Sequence, residues 1–145
     1  MTAQIGYDAV AVGDELPAQT FQVRRADLVQ YCGASGDFNV IHWNERVAKA
    51  VGLPDVIAHG MFTMAEAIRV VTDWCGDPGM VVEYQVRFTR PVVVPDGVAE
   101  DSGARLTVTG KVTAVNEDGT VRVDLTATSG GEKVLGLARA LVRLP

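Results

Sequence analysis

Basic runs, paired cysteines, long apolar stretches and aromatic residues are all scarce in this chain. It holds 13 Lys and Arg against 18 Asp and Glu in 145 residues, a net charge of −5 at pH 7. A nucleic-acid partner needs a dense basic surface to neutralise phosphates, so that class is excluded. Apolar runs such as Val92 to Val94 fall far short of a membrane span. The opening stretch MTAQIGYDAV has neither the basic start nor the apolar core of a secretion signal, which points to a cytoplasmic protein. Cys32 and Cys75 form no CxxC spacing and read as buried reduced thiols. Together with two His scattered along the sequence they do not readily supply a zinc site, so neither a metal nor another cofactor is expected.

What is present suits a single globular domain over residues 1–145, with 48% hydrophobic and 21% charged residues and no internal repeat. The first half reads as helix and loop, the second as strand. RRADLVQYCGAS predicts a short helix with Asp27 near its start and Leu28, Tyr31 and Cys32 on one side. NERVAKAVG predicts another, capped by Asn44, stopped by Gly52, with Val47, Ala48 and Val51 inward. HGMFTMAEAIRVVTDWCGDPG predicts a longer helix with Met61, Met64, Ala65, Ile68, Thr72 and Cys75 inward, ended by Gly76 and Pro78. Its few charges suggest that it is covered on most sides.

From Met80 the period changes to two, with Val82, Tyr84, Val86 and Phe88 alternating against Glu83, Gln85, Arg87 and Thr89. RLTVTGKVTAV and TVRVDLTATSG follow, joined through the hairpin turn Asp118-Gly119, and EKVLGLARALVRL reads as the last strand. An early strand is expected around Gln19 to Arg24. One covered helix followed by an antiparallel meander predicts an α+β layer, a sheet wrapped on a helix. The edges of such a sheet invite pairing with a second copy or a partner.

Two stretches carry candidate chemistry. In SGDFNVIHWN, Asp37 and His42 lie five apart, wrong for a shared helix face, so they meet only if the chain turns back. Gly36 and Asn39 permit that turn. The knot is then either a capped turn with a core histidine, or a carboxylate–imidazole pair that holds a water between proton acceptor and proton donor. In VIAHGMFTM, His59-Gly60 opens the long helix, where free N–H groups of the first turn can bind a developing oxyanion. A tight turn with Gly60 chosen for packing is the other reading.

The combined stretch YCGASGDFNVIHWNERVAKAVGLPDVIAHGMFTMA resembles the signature of the MaoC-like dehydratases and (R)-specific enoyl-CoA hydratases. The matching positions are Tyr31, Ser35, Gly36, Asp37, Asn39, Ile41, His42, Ala48, Ile57, Ala58, His59, Gly60 and Met61. Within that family, IHWNERVAKAVGL, WCGDPG, EYQVRFTRPVVVP and LTATSGGEKVLG are most similar to the catalytic B subunit of actinobacterial (3R)-hydroxyacyl-ACP dehydratase. Val40 departs from the usual proline and Asn44 from a frequent aspartate; neither carries a proton.

The resemblance implies a hot-dog fold, a long central helix wrapped by an antiparallel sheet. It implies Asp37 and His42 as catalytic residues and the Gly60 N–H as the donor to a thioester carbonyl, with Asn39, Ala58, His59 and Trp43 as further substrate contacts. The implied reaction is interconversion of (3R)-hydroxyacyl and trans-2-enoyl thioesters, on acyl-ACP or acyl-CoA, in fatty-acid elongation. A homodimer, or a heterodimer with a second hot-dog subunit, is the implied assembly. The alternatives are an (R)-specific enoyl-CoA hydratase of β-oxidation or polyester-precursor supply, a hot-dog thioesterase, and a non-catalytic acyl-binding subunit. Arg46 and Lys49 could meet the carrier's acidic groups or form an ordinary solvated face.

Overall fold

A computed structural model describes residues 5–145; the first four residues of the N-terminal stretch read above lie outside the described residues. Helix α1 runs Arg25–Ser35, where Asp27 Oδ2 accepts the Arg24 N–H at 2.7 Å. Gly36, in the left-handed region at φ 76°, ends it, because only glycine takes that turn without a steric penalty. Helix α2 is Glu45–Ala50, with Asn44 Oδ1 accepting the Val47 N–H at 3.1 Å as the expected cap. The long helix α3 is Gly60–Cys75.

The strands are β1 (Glu15–Val23), β2 (Val81–Phe88), β3 (Ala104–Val115), β4 (Thr120–Ser129), β5 (Glu132–Lys133) and β6 (Leu135–Arg143). They form one sheet in the order β1-β3-β4-β6-β2, with β5 paired to β4, and the described pairings are antiparallel. The Asp118-Gly119 hairpin joins β3 to β4 as its sequence predicts; Asp118 Oδ1 accepts the Thr120 N–H at 3.1 Å. Helix α3 lies across the sheet and touches β1, β2, β3, β4 and β6. Its buried residues Ala67, Val70, Val71 and Cys75 meet a sheet face built from Leu106, Val108, Val123, Leu125 and Ala140. Burying each such valine or leucine contributes about 1.5–3 kcal/mol, and the many alanines let helix and sheet approach closely. This is the helix-in-sheet architecture expected.

Three details differ from the periodicity. The inward stripe of α3 is Thr63, Ala67, Val70, Val71 and Cys75, while Met61 is 57% exposed and Ala65 is exposed as well. The helix carries apolar residues almost all round, so three- and four-residue spacings exist on several faces. The outward face is marked by Arg69 and Asp73 in register with Met61 and Ala65. Val51 lies just past α2 and is 64% exposed, because the helix ends a residue earlier, at Ala50. In β2 only Tyr84 and Val86 of the apolar row gain cover from α3, and Val82 and Phe88 stay half exposed. That strand is an edge, so its alternation points toward a surface this chain alone does not bury.

Candidate active site

The segment between α1 and α2 is held by side chains bonding its own backbone. Ser35 Oγ donates to the Tyr31 carbonyl at 2.7 Å and accepts the Asp37 N–H at 3.1 Å. Asp37 Oδ1 accepts the Asn39 N–H at 3.1 Å, and Asn39 Oδ1 accepts the Ile41 N–H at 3.3 Å. Trp43 Nε1 donates to the Phe38 carbonyl at 3.0 Å. Each polar residue thus fixes the residue two further on, the action that favours Ser, Asp and Asn in turns. The chain closes into one 3-10 turn, Val40–His42, and reverses as the five-residue spacing requires. Val40 fits the place of a proline: Asn39 has φ −55°, ψ 124°, the extended region a following proline demands.

The reversal brings three groups together. A carboxylate oxygen of Asp37, a ring nitrogen of His42 and a ring nitrogen of His59 lie within 4.8 Å of one another. One water, at about 2.8 Å from each partner, spans such a gap. Asp37 is exposed, whereas His42 is 7% and His59 1% exposed. His42 Nδ1 donates to the Ile57 carbonyl at 2.7 Å, which fixes its tautomer and leaves Nε2 with the lone pair. Burial pushes the His42 pKa below its ordinary value, and the neighbouring His59 acts the same way; the Ile57 carbonyl and Asp37 act in the opposite sense. His42 is therefore a neutral base at neutral pH. Burial, with the Asp37 charge adding to it, raises the Cys32 pKa, so this thiol stays protonated.

One carboxylate and two imidazoles are also metal-ligand types, with Cys32 Sγ 3.6 Å from His59 Nε2. The fold gathers residues that the sequence scatters, which corrects the argument from spacing. The two imidazoles, however, are stacked, with centroids 3.8 Å apart and planes 24° apart. Lone pairs lie in the ring planes, so theirs run side by side instead of converging on one ion. Binding a metal through both would require one ring to leave the stack.

His42 opens into a cavity of about 360 Å³, walled by Ala58, Gly60, Thr63, Phe88, Pro91 and Leu135 among others. The size suits a small-molecule site. A larger hollow of about 590 Å³ lies on the other side of Tyr31, against Phe21, Phe62 and Arg69. It holds neither His42 nor Gly60. At the start of α3 the Thr63 N–H bonds the His59 carbonyl at 3.1 Å, and the N–H groups before it are the helix's unpaired first-turn donors. A Cβ added at Gly60 would lie 3.0 Å from Phe88 Cε1, so Phe88 closes over the face that glycine leaves bare.

The other sequence-predicted contacts divide. Ala58 stands in the cavity wall. Asn39 is occupied in capping the 3-10 turn. Trp43 is 45% exposed with its indole N–H tied to the loop, and His59 lies buried beneath His42 instead of reaching the cavity. Lys49 is paired with Glu45 at 2.5 Å, and Arg46 is exposed. No residue pattern marks the Ile57 carbonyl as the anchor of His42, nor Val134 and Leu135 as cavity wall. For Phe88 to Val92 a signal existed in FTRPVV, where proline breaks the strand beside the helix start.

Comparison with known proteins gives this geometry a lineage. The profile described as MaoC like domain matches residues 9–130. The 3-hydroxyacyl-thioester dehydratase X of Mycobacterium tuberculosis is 40% identical over 79 residues, 54% of this chain and 27% of that protein. A solved MaoC-like dehydratase superposes with TM-score 0.91 at 43% identity, over 98% of this chain and 43% of its own. The unliganded R-hydratase PhaJ1 from Pseudomonas aeruginosa gives TM-score 0.82 at 26% identity, over 98% and 86%. The chain thus spans about a quarter of the first relative's length and under half of the first structure's. The sheet wrapped on α3 is the hot-dog fold, and the profile match takes in Asp37, His42 and Gly60: this chain belongs to the MaoC-like domain family.

Proposed function

We propose that this protein adds water to, and removes it from, acyl thioesters, interconverting trans-2-enoyl and (3R)-hydroxyacyl forms. The observation that carries the proposal is His42 in the wall of a cavity that also contains the Gly60 helix start, with the Asp37 carboxylate within 4.8 Å of its ring nitrogen. In hydration, Asp37 orients the water while neutral His42 takes its proton through Nε2, and the water oxygen forms the new bond to C3. The C2–C3 double bond shifts its electrons toward the thioester oxygen, which the Gly60 N–H stabilises. The His42 imidazolium then returns the same proton to C2. One proton carrier balances the reaction, and dehydration runs the steps in reverse. The names of the relatives, a thioester dehydratase and an R-hydratase, support the same substrate class, with ACP or coenzyme A as carrier.

A second hot-dog subunit, identical or different, completes the proposal. Its support is the exposed apolar side chains of Val82 and Phe88 on the β2 edge and of Met61 in the first turn of α3, together with relatives far longer than this chain. A reducing, cytoplasmic setting suits the two buried free thiols; among the described residues no helix is long and apolar enough to cross a membrane. The test is hydration of trans-2-enoyl thioesters with chiral analysis of the product, alone and with candidate partner subunits. An (R)-3-hydroxyacyl product that disappears in Asp37→Asn and in His42→Ala is expected. Unchanged activity in both variants, or thioester hydrolysis in place of hydration, would overturn the proposal.

A further inference from the structure

His59 has a place in the structure that neither an oxyanion site nor a substrate contact accounts for. It precedes α3, is 1% exposed, and makes no capping bond with its side chain. Its Nε2 faces the Asp37 main-chain carbonyl at 3.1 Å and Cys32 Sγ at 3.6 Å. A carbonyl only accepts, so the proton is on Nε2 and the lone pair on Nδ1. Nδ1 is itself buried and without a hydrogen-bond partner. The ring is clamped from both sides: His42 stacks at 3.8 Å, and Tyr31 meets it edge-on at 4.7 Å. The titratable groups around it are Tyr31 and Cys32 from α1, Asp37 from the loop and His42 from the 3-10 turn. None of them offers Nδ1 a donor.

From this arrangement we infer that His59 is a positioning residue for the dehydratase reaction, an imidazole that fixes the His42 ring plane with its face and the Asp37 backbone with its Nε2–H. The spacing between the two reacting side chains is then set by one side chain that touches neither water nor substrate. Loss of the ring at this position would remove both effects.

The inference rests on the proposed reaction for its kinetic arm but not for its spectroscopic one. The chain has 2 histidines, so ¹⁵N imidazole shifts resolve each tautomer without ambiguity. In the wild type at neutral pH, His59 is expected to carry its proton on Nε2, while His42 titrates below the ordinary histidine range. If His59 carries its proton on Nδ1, the inference fails whether or not the protein hydrates anything. Two variants divide the roles. His59→Phe keeps the flat face and loses the donor to Asp37; His59→Gln keeps a donor and loses the face.

With folded fraction matched by circular dichroism, His59→Gln is expected to lower kcat tenfold or more with KM little changed. Its acidic limb should move to higher pH, because His42 loses cover. His59→Phe should lower kcat while leaving the limb in place. Cys32→Ala, which disturbs the same packing without touching His42, should shift neither limb nor kcat beyond its effect on folding. Limbs and kcat that follow only the folded fraction in all three variants would make His59 an ordinary core residue. A wild type whose His59 behaves as described but which hydrates no thioester would retain the geometry and remove the reaction instead.

Discussion

Replacing Gly60 by alanine separates folding from chemistry at the start of α3. The new methyl would lie 3.0, 3.1 and 3.2 Å from Cε1, Cζ and Cδ1 of Phe88, against about 3.5–4.0 Å for relaxed carbon contacts. The ring must retreat by roughly 0.5 Å. In a closed core, overpacking costs about 1–3 kcal/mol. Phe88 is 52% exposed on an edge strand, so it can tilt outward, and the lower end of that range applies. Alanine's helix propensity offsets up to about 1 kcal/mol. The net change in unfolding free energy is therefore about 1 kcal/mol or less, a Tm shift of about 2–4 °C.

Turnover responds far more. The methyl and the displaced ring both intrude where a thioester oxygen would approach the residue-60 N–H. Loss of one oxyanion donor lowers kcat about 10²–10³-fold. Disappearance of enoyl absorbance measures the rate, and scanning calorimetry measures Tm on the same sample. A kcat within about threefold of wild type would cost less than 1 kcal/mol of barrier and would remove Gly60 from the oxyanion role. Recovery of kcat on adding Phe88→Leu would assign the loss to the ring instead of the methyl.

Two further predictions concern charge. Because burial lowers the His42 pKa, the acidic limb of kcat should fall below the ordinary histidine value of about 6.5. The unfolded chain protonates this histidine as pH falls through about 6.5 while the folded chain does not, so stability declines until the lower folded pKa is passed. Urea unfolding from pH 8 to 5 should show the stability of wild type relative to His42→Gln decreasing toward acid; a constant difference would refute the shift. Arg25 joins three segments, donating to the Val94 carbonyl at 2.6 Å and pairing with Asp55 at 2.6 Å and Glu45 at 3.4 Å. Arg25→Met should cost about 1–3 kcal/mol through the buried Val94 carbonyl and the half-buried Asp55 carboxylate left unpaired. Tm should fall while kcat per folded molecule is retained, and an unchanged Tm would show the pairs to be idle.

The folding pattern was readable wherever one periodicity had no competitor. The alternation of β3 and β4, the Asp118-Gly119 turn and the Asn44 cap all depend on local chemistry, and the structure has each of them. The inward stripe of α3 was not readable, because an almost uniformly apolar helix lets tertiary contacts choose the face. Asp37 and His42 were nameable from their spacing and from the long motif around them. Their geometry was not, because it depends on the Ile57 carbonyl, which comes from an extended segment after α2. The burial of His59 was equally hidden: next to a glycine at a helix start, a histidine in a cavity wall and one beneath it have the same sequence.

Phe88, the last residue of β2, and Thr89 beside it both wall the cavity that holds His42, and β2 is one of the sheet's two edge strands. The chamber is therefore finished by the part of the chain that a neighbouring subunit would press against. Under the paired arrangement, dilution is a kinetic variable. Above the pair's dissociation constant, rate rises in proportion to enzyme; far below it, rate rises with the square. A progress curve begun from a concentrated stock would slow over the lifetime of the pair, and one begun from a dilute stock would start slow and remain so.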